Sequence, residues 1–296
     1  MKIPKSIQAD LALLAATFVW GSTFTIVKAC LAQVSPILFV SMRFWVATAI
    51  LLVCMPEQIA RISGKTFRRG LVLSAFLLGG FIFQTLGLRN TNPSYSAFIT
   101  GLSVLLVPLL GFFFFRDRPR PQIIAGIILA TLGLYFLLVH VSDMRIGSGD
   151  VLTLICAVLF AFHILFLGLF VSTSDYRQLM ILQVAGAAVF CTLLIPFIES
   201  PFIIWNSRLV LYLFITGVLA TAIAFLVQAR SQQFTTANRT ALIFSLEPFF
   251  AALFAYWMLG QILTVREWIG GVLILLGILT SELRLAPRKV QTSFDP

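Results

Sequence analysis

Apolar runs of membrane length, each closed by charged, glycine or proline-containing breakers, recur along the whole chain at 9–28, 36–55, 70–88, 93–115, 121–140, 150–171, 178–198, 209–229, 236–259 and 266–283. About 20 apolar residues wound as a helix cross the hydrocarbon core of a bilayer. The pattern therefore predicts an all-α integral membrane protein with ten transmembrane helices. The connections between runs are too short to hold a soluble catalytic domain. The basic pair Lys2 and Lys5 before the first run resembles the start of a signal peptide. No small-x-small cleavage site follows it, so the run reads as the first span.

Sliding the chain by 140 residues lays Asp10 and the apolar residues after it on Asp150 and its followers, and Pro108 in span four on Pro248 in span nine. Past the prolines a four-residue offset develops, after which Gly126 and Gly133 match Gly270 and Gly277. Two five-helix repeats result, divided as residues 1–143 and 144–296. An odd number of spans per repeat makes the second enter the membrane from the opposite face, so the repeats are inverted. Glycines seven apart lie on one helix face, and such small residues let backbones approach closely in lipid. A proline within a span frees a carbonyl and bends the helix, so Pro108 and Pro248 are expected hinges.

Composition narrows the class. With 59% hydrophobic and 11% charged residues and a mean hydropathy of +1.01, the chain has too few ionic groups to cover a soluble surface. Its net charge of +10 would suggest nucleic acid on a soluble domain. Here it reads as orientation, with no nucleic-acid partner. An N-terminus in the cytoplasm puts most of the 21 Lys and Arg at that face, which predicts both termini inside the plasma (inner) membrane. Cys30, Cys54, Cys156 and Cys191 have no paired or ligand-like spacing and read as structural thiols.

Against this apolar background the polar positions stand out. Ser96, Thr100 and Ser103 share one face of span four, and Thr236, Thr240 and Glu247 share the equivalent face of span nine. Such stripes turn away from lipid, although serine and threonine can also satisfy themselves on their own helix carbonyls. Glu247 has no such escape. At mid-span an ionisable group costs roughly 2.5 to 3.5 kcal/mol on insertion scales, so it should face a cavity, be paired or be protonated. It is also the candidate proton-coupling group.

Arg43 in span two either snorkels outward or holds an anionic group. Gln84 and His163 lie at similar depth, and Gln183 is the repeat partner of Arg43 just as His163 is that of Thr23. Trp20, Ser22 and Thr23 in span one, with Tyr95 and Phe162, complete the candidate substrate-binding set. No catalytic residue is expected. With His140 and His163 the only histidines, there is no metal-binding helix motif, phosphate loop or nucleophile triad, which argues against an enzyme, a metal site or any cofactor.

The Trp20-Gly21-Ser22-Thr23-Phe24 run, the Phe98-Ile99-Thr100-Gly101-Leu102 stretch leading to Pro108, Leu246-Glu247-Pro248 and the Gly270-Gly271 helix together resemble the ten-helix EamA-like branch of the drug/metabolite transporter superfamily. That resemblance covers essentially the whole chain. It implies two inverted five-helix repeats around a central cavity for small metabolites, often amino acids, with export common. Of the site residues it carries over Trp20, Ser22 and the polar faces of spans four and nine. Arg116-Asp117 and Gly260-Gln261 stand where such proteins usually have a Gly-Glu pair.

The expectation is a secondary transporter, exporting or exchanging a small polar metabolite such as an amino acid by alternating access. Its partners would be a small-molecule substrate and the lipid bilayer, in a monomer or weak dimer. The alternatives are a lipid or polyprenyl-phosphate flippase and a passive channel.

Overall fold

Helices occupy each of the ten predicted spans in a computed structural model that describes residues 4–91, 93–116, 119–138, 147–259 and 264–282. The first repeat runs α1 (Lys5–Cys30), α2 (Pro36–Cys54), a 3-10 turn at Pro56–Arg61, α3 (Gly64–Asn90), α4 (Pro93–Gly101), α5 (Ser103–Phe115) and α6 (Pro121–Leu138). The second runs α7 (Ser148–Val171), α8 (Tyr176–Ile198), α9 (Ser207–Phe214), a π-helical segment Ile215–Ile223, α10 (Ala224–Ser231), α11 (Ala237–Phe244), α12 (Glu247–Leu259) and α13 (Val265–Glu282). Among the described residues seven stretches are long and apolar enough by themselves to cross a membrane, and Pro121–Gly133 and Trp268–Gly277 are shorter apolar helices. Among the described residues the only β contact is a single antiparallel bridge between Val34 and Ile203.

Local chemistry sets the helix ends. Prolines open α2, α4 and α6, where the missing N–H would have had no intrahelical partner. Ser63, Asn206 and Thr236 accept from backbone N–H groups three residues on, at 2.8–3.2 Å, which satisfies donors a helix start leaves unpaired. Two caps are supplied from outside the helix. Glu199 accepts from the amides of Ile37 and Leu38 at the start of α2. Lys28 donates to the carbonyls of Leu88, Arg89 and Thr91 at the end of α3. Both arrangements match charge to the helix dipole.

Packing follows the repeat. α1 lies on α11 and α12 while α7 lies on α4 and α5. α3 packs against α7 and α8, and their counterparts, the π segment with α10, pack against α1 and α2. α6 and α13 cross each other at one side. A Cβ on Gly133 would come within 2.5 Å of the Gly270 carbonyl, and one on Gly277 within 2.6 Å of the Gly126 carbonyl. Replacing both glycines of one contact by their repeat partners gives the other contact, as a two-fold relation between the halves requires.

Both proline spans are built from two helices each. α5 runs on through Pro108, and span four is interrupted at Leu102, whose amide is shared between the carbonyls of Phe98 and Ile99. Span nine is interrupted at Ser245 and Leu246, with the Ser245 amide reaching the carbonyls of Ala241 and Leu242. Pro248 therefore sits in the first turn of α12, a position that needs no N–H. The interruptions are tightened turns flanking the prolines, with Gly101, a weak helix former, next to the first.

Candidate functional site

Trp20 on α1 anchors the centre. Its indole Nε1 donates to the Ala220 carbonyl at 2.7 Å, and its ring lies 4.9 Å from those of both Phe225 and Phe244. Ala220 lies within the π segment, and π turns often sit at functional sites. Within the same segment the Thr221 hydroxyl donates to the Thr216 carbonyl, at 2.7 Å. From there Thr221 accepts from Arg43 Nε of α2 at 2.6 Å. Arg43 is 2% exposed and its guanidinium lies 4.3 Å from the Phe81 ring centre, a cation–π contact strengthened by the lack of water. Its Nη2 is buried without a partner.

These groups border a cavity with about 510 Å³ of space not filled by protein, part of it open to the outside, lined by Trp20, Thr23, Arg43, Phe81, Gln84, Thr100, Ser103, Phe160, His163, Ile164, Phe225, Gln228, Phe244 and Glu247. Both halves contribute equally to it. Glu247, half-buried at the first turn of α12, is the acidic member and Arg43 the basic one. No salt bridge joins them; among the described residues that contact is made by Arg239 and Asp10, between α11 and α1. Gln84 Nε2 reaches toward Thr100 Oγ1 at 3.4 Å. His163 Nε2 shares a 2.8 Å hydrogen bond with Gln183 Oε1 and stands edge-on to Phe225. The cavity is thus a ring of aromatic faces with one cation and one carboxyl set apart.

Eight of the expected site residues, Trp20, Thr23, Arg43, Gln84, Thr100, Ser103, His163 and Glu247, meet at this cavity. Five lie off it. Ser22 donates to the Val19 carbonyl of its own helix, and Ser96 is buried beside Thr153 of α7. Phe162 stacks on Phe76, with ring centres 5.3 Å apart. Thr236 caps α11, and Thr240 is fully buried with its hydroxyl on the Thr236 carbonyl. The Tyr95 side chain lies outside the described residues. Phe81, Phe160, Ile164, Phe225, Gln228 and Phe244 line the cavity without having been singled out. Gln228 carried a readable signal, an amide near the end of span eight. The aromatic residues did not, because phenylalanine is ordinary in any span.

A family model described as the EamA-like transporter family matches twice, over residues 7–139 and 147–282. The chain belongs to the EamA-like transporter family. The two matches fall on successive five-helix halves, as an internally repeated fold requires. Among relatives, the chain is 32% identical over 281 residues to an uncharacterized transporter of Archaeoglobus fulgidus, covering 95% of this chain and 88% of that one. It is 25% identical to the uncharacterized transporter YyaM of Bacillus subtilis, covering 94% of each. A solved crystal structure superposes with a TM-score of 0.77 at 18% identity, over 93% of this chain and 96% of the other, which supports the two-repeat fold alone. Family membership makes the chain a multi-pass membrane transporter, and such families are usually not enzymes.

Proposed function

We propose that this EamA-like protein is a secondary carrier of a small polar metabolite, an amino acid or a related compound, moved by alternating access of its two halves. The observation that carries this reading is the cavity between the halves, where Arg43 and Glu247 stand unpaired with each other inside an aromatic wall. Separated opposite charges in a water-poor site favour a ligand that carries both signs, because a bound partner offsets the cost of keeping each ion at membrane depth. Contacts between the halves lie near both ends. Asp10 meets Arg239 at one end. At the other, Asp150 accepts from Thr91 at 2.5 Å. Exchanging which end is closed would expose the cavity to alternate faces.

In this reading the carrier sits in the inner membrane with both termini cytoplasmic, as the bias of its basic residues suggests. Glu247 is the proton-exchanging group. Purified protein in proteoliposomes is expected to catalyse saturable counterflow of an amino acid. Flux that is linear in concentration and shows no counterflow overturns the carrier in favour of a channel. Glu247→Gln, whose amide mimics the protonated acid, should keep counterflow and lose transport driven by a pH gradient. Wild-type gradient-driven transport by that variant removes the coupling role. Single cysteines at Ser63 and Ser148, both exposed, should label from opposite faces in a background without native cysteines.

A further inference from the structure

Two polar atoms in the cavity-lining side chains have no hydrogen-bond partner, Arg43 Nη2 and Gln228 Oε1. Arg43 is 2% exposed and Gln228 is 1% exposed, so neither atom meets water instead. An unsatisfied buried donor or acceptor is costly, and native proteins keep such groups rare. One orphan is a cationic donor from the first half; the other is an amide acceptor from the second. Glu247, the cavity's carboxyl, adds a second acceptor without an ion-pair partner among the described residues. Arg43 is held on its other edge, Nε by Thr221 and its flat face by Phe81, which leaves the terminal nitrogens for a ligand.

We infer that Arg43, Gln228 and Glu247 form a headgroup clamp for a primary-ammonium zwitterion, with Arg43 taking the carboxylate and Gln228 with Glu247 taking the N–H donors of the ammonium. The inference deepens the carrier reading and rests on it. Arg43 suits the anionic end because a guanidinium presents a planar fork matched to a carboxylate. Gln228 decides what the cationic end must be. The aromatic wall of Trp20, Phe81, Phe225 and Phe244 would accept any organic cation through ring faces, a quaternary ammonium included. Only an ammonium that still bears hydrogens can satisfy the Gln228 oxygen. The clamp therefore discriminates a free amino acid from its N-trimethyl betaine, a distinction that the rings and the carboxyl alone would not make. The orphan atoms are shut off in this conformation, so ligand entry draws both side chains inward.

The test is a thermal-shift series on the purified full-length protein in detergent. The probes are the proteinogenic L-amino acids and, for each one that stabilises, its decarboxylated amine, its N-acetyl derivative and its N-trimethyl betaine. At least one free amino acid should raise the melting temperature and its three derivatives should not. Gln228→Leu should raise the melting temperature of the ligand-free protein, since it removes an unpaired buried oxygen, while weakening amino-acid binding about ten- to a hundredfold. Arg43→Met, which keeps a stem over Phe81, should weaken binding to a similar extent. If the leucine variant does not fold, Gln228→Met serves the same purpose. A betaine that binds as well as its parent, or unchanged affinity in the Gln228 variants, overturns the clamp. Binding of a nucleoside or sugar with no response to any amino acid overturns the clamp and leaves the carrier standing. No counterflow with any of these compounds removes both.

Discussion

Arg43 and Gln183 occupy the same place in the two repeats, yet they do opposite things. Arg43 reaches across the interface between halves to Thr221 of the π segment, with its guanidinium over the face of Phe81 in its own half. Gln183 stays at home, bonded to His163 of the neighbouring span and donating to Met180 Sδ. Thr100 and Thr240 are likewise equivalent, but Thr100 lines the cavity and Thr240 is sealed in packing. A similar division separates span three, a continuous α3, from span eight, which opens into a π turn at Ile215–Ile223. The scaffold keeps the two-fold relation while the polar chemistry abandons it. Symmetric backbones provide two equivalent ways to open, and asymmetric side chains place the cation on one wall and the carboxyl on another.

The most severe way to break this comparison is to force symmetry. Gln183→Arg would put a second guanidinium into a fully buried site whose neighbours are His163 and Met180, with no carboxyl bonded there among the described residues. An uncompensated buried charge costs roughly 3–5 kcal/mol, so the variant should accumulate poorly and melt far below wild type in detergent. Normal stability would mean the two sites are more alike than their surroundings suggest.

The crossing of α6 and α13 makes the opposite prediction, that symmetry holds. Gly133→Ala and Gly277→Ala each drive a methyl into a backbone carbonyl of the partner helix. Overpacking of this kind costs about 1–3 kcal/mol, and the two variants should lose equal amounts by thermal melting. Unequal losses would show that the crossing is not two-fold.

Trp20→Phe keeps a ring between Phe225 and Phe244 but removes the donor to the Ala220 carbonyl. A loss of about 1 kcal/mol and greater hydrogen exchange across Ile215–Ile223 are expected, if that bond holds the π turn open. Unchanged exchange would assign the turn to its own sequence. The finest test is the threonine pair. Thr100→Trp should block counterflow with the protein's melting point little changed, because it fills a void. Thr240→Trp should lower the melting point, because it has none to fill. Equal behaviour at both positions would move the cavity.

The sequence alone determined the ten spans, the 140-residue repeat and its inversion, and the depth of Arg43, Gln84, His163 and Glu247. Those features follow from bilayer thickness and from the cost of polar groups within it, which act on each segment separately. The direction each polar group faces did not follow. Ser22 and Thr240 satisfy themselves on nearby backbone carbonyls and Thr236 on the Arg239 amide that it caps, and nothing in their spacing distinguishes them from Thr100 or Ser103 at the cavity. The interruptions at Leu102 and Ser245 did not follow either. Nor did the π turn, where the Ala220 carbonyl accepts from a tryptophan 200 residues away in the chain. Gln228 and the aromatic wall joined the site through packing. A cavity is a property of facing surfaces, and which surfaces face one another is decided only when the helices pack.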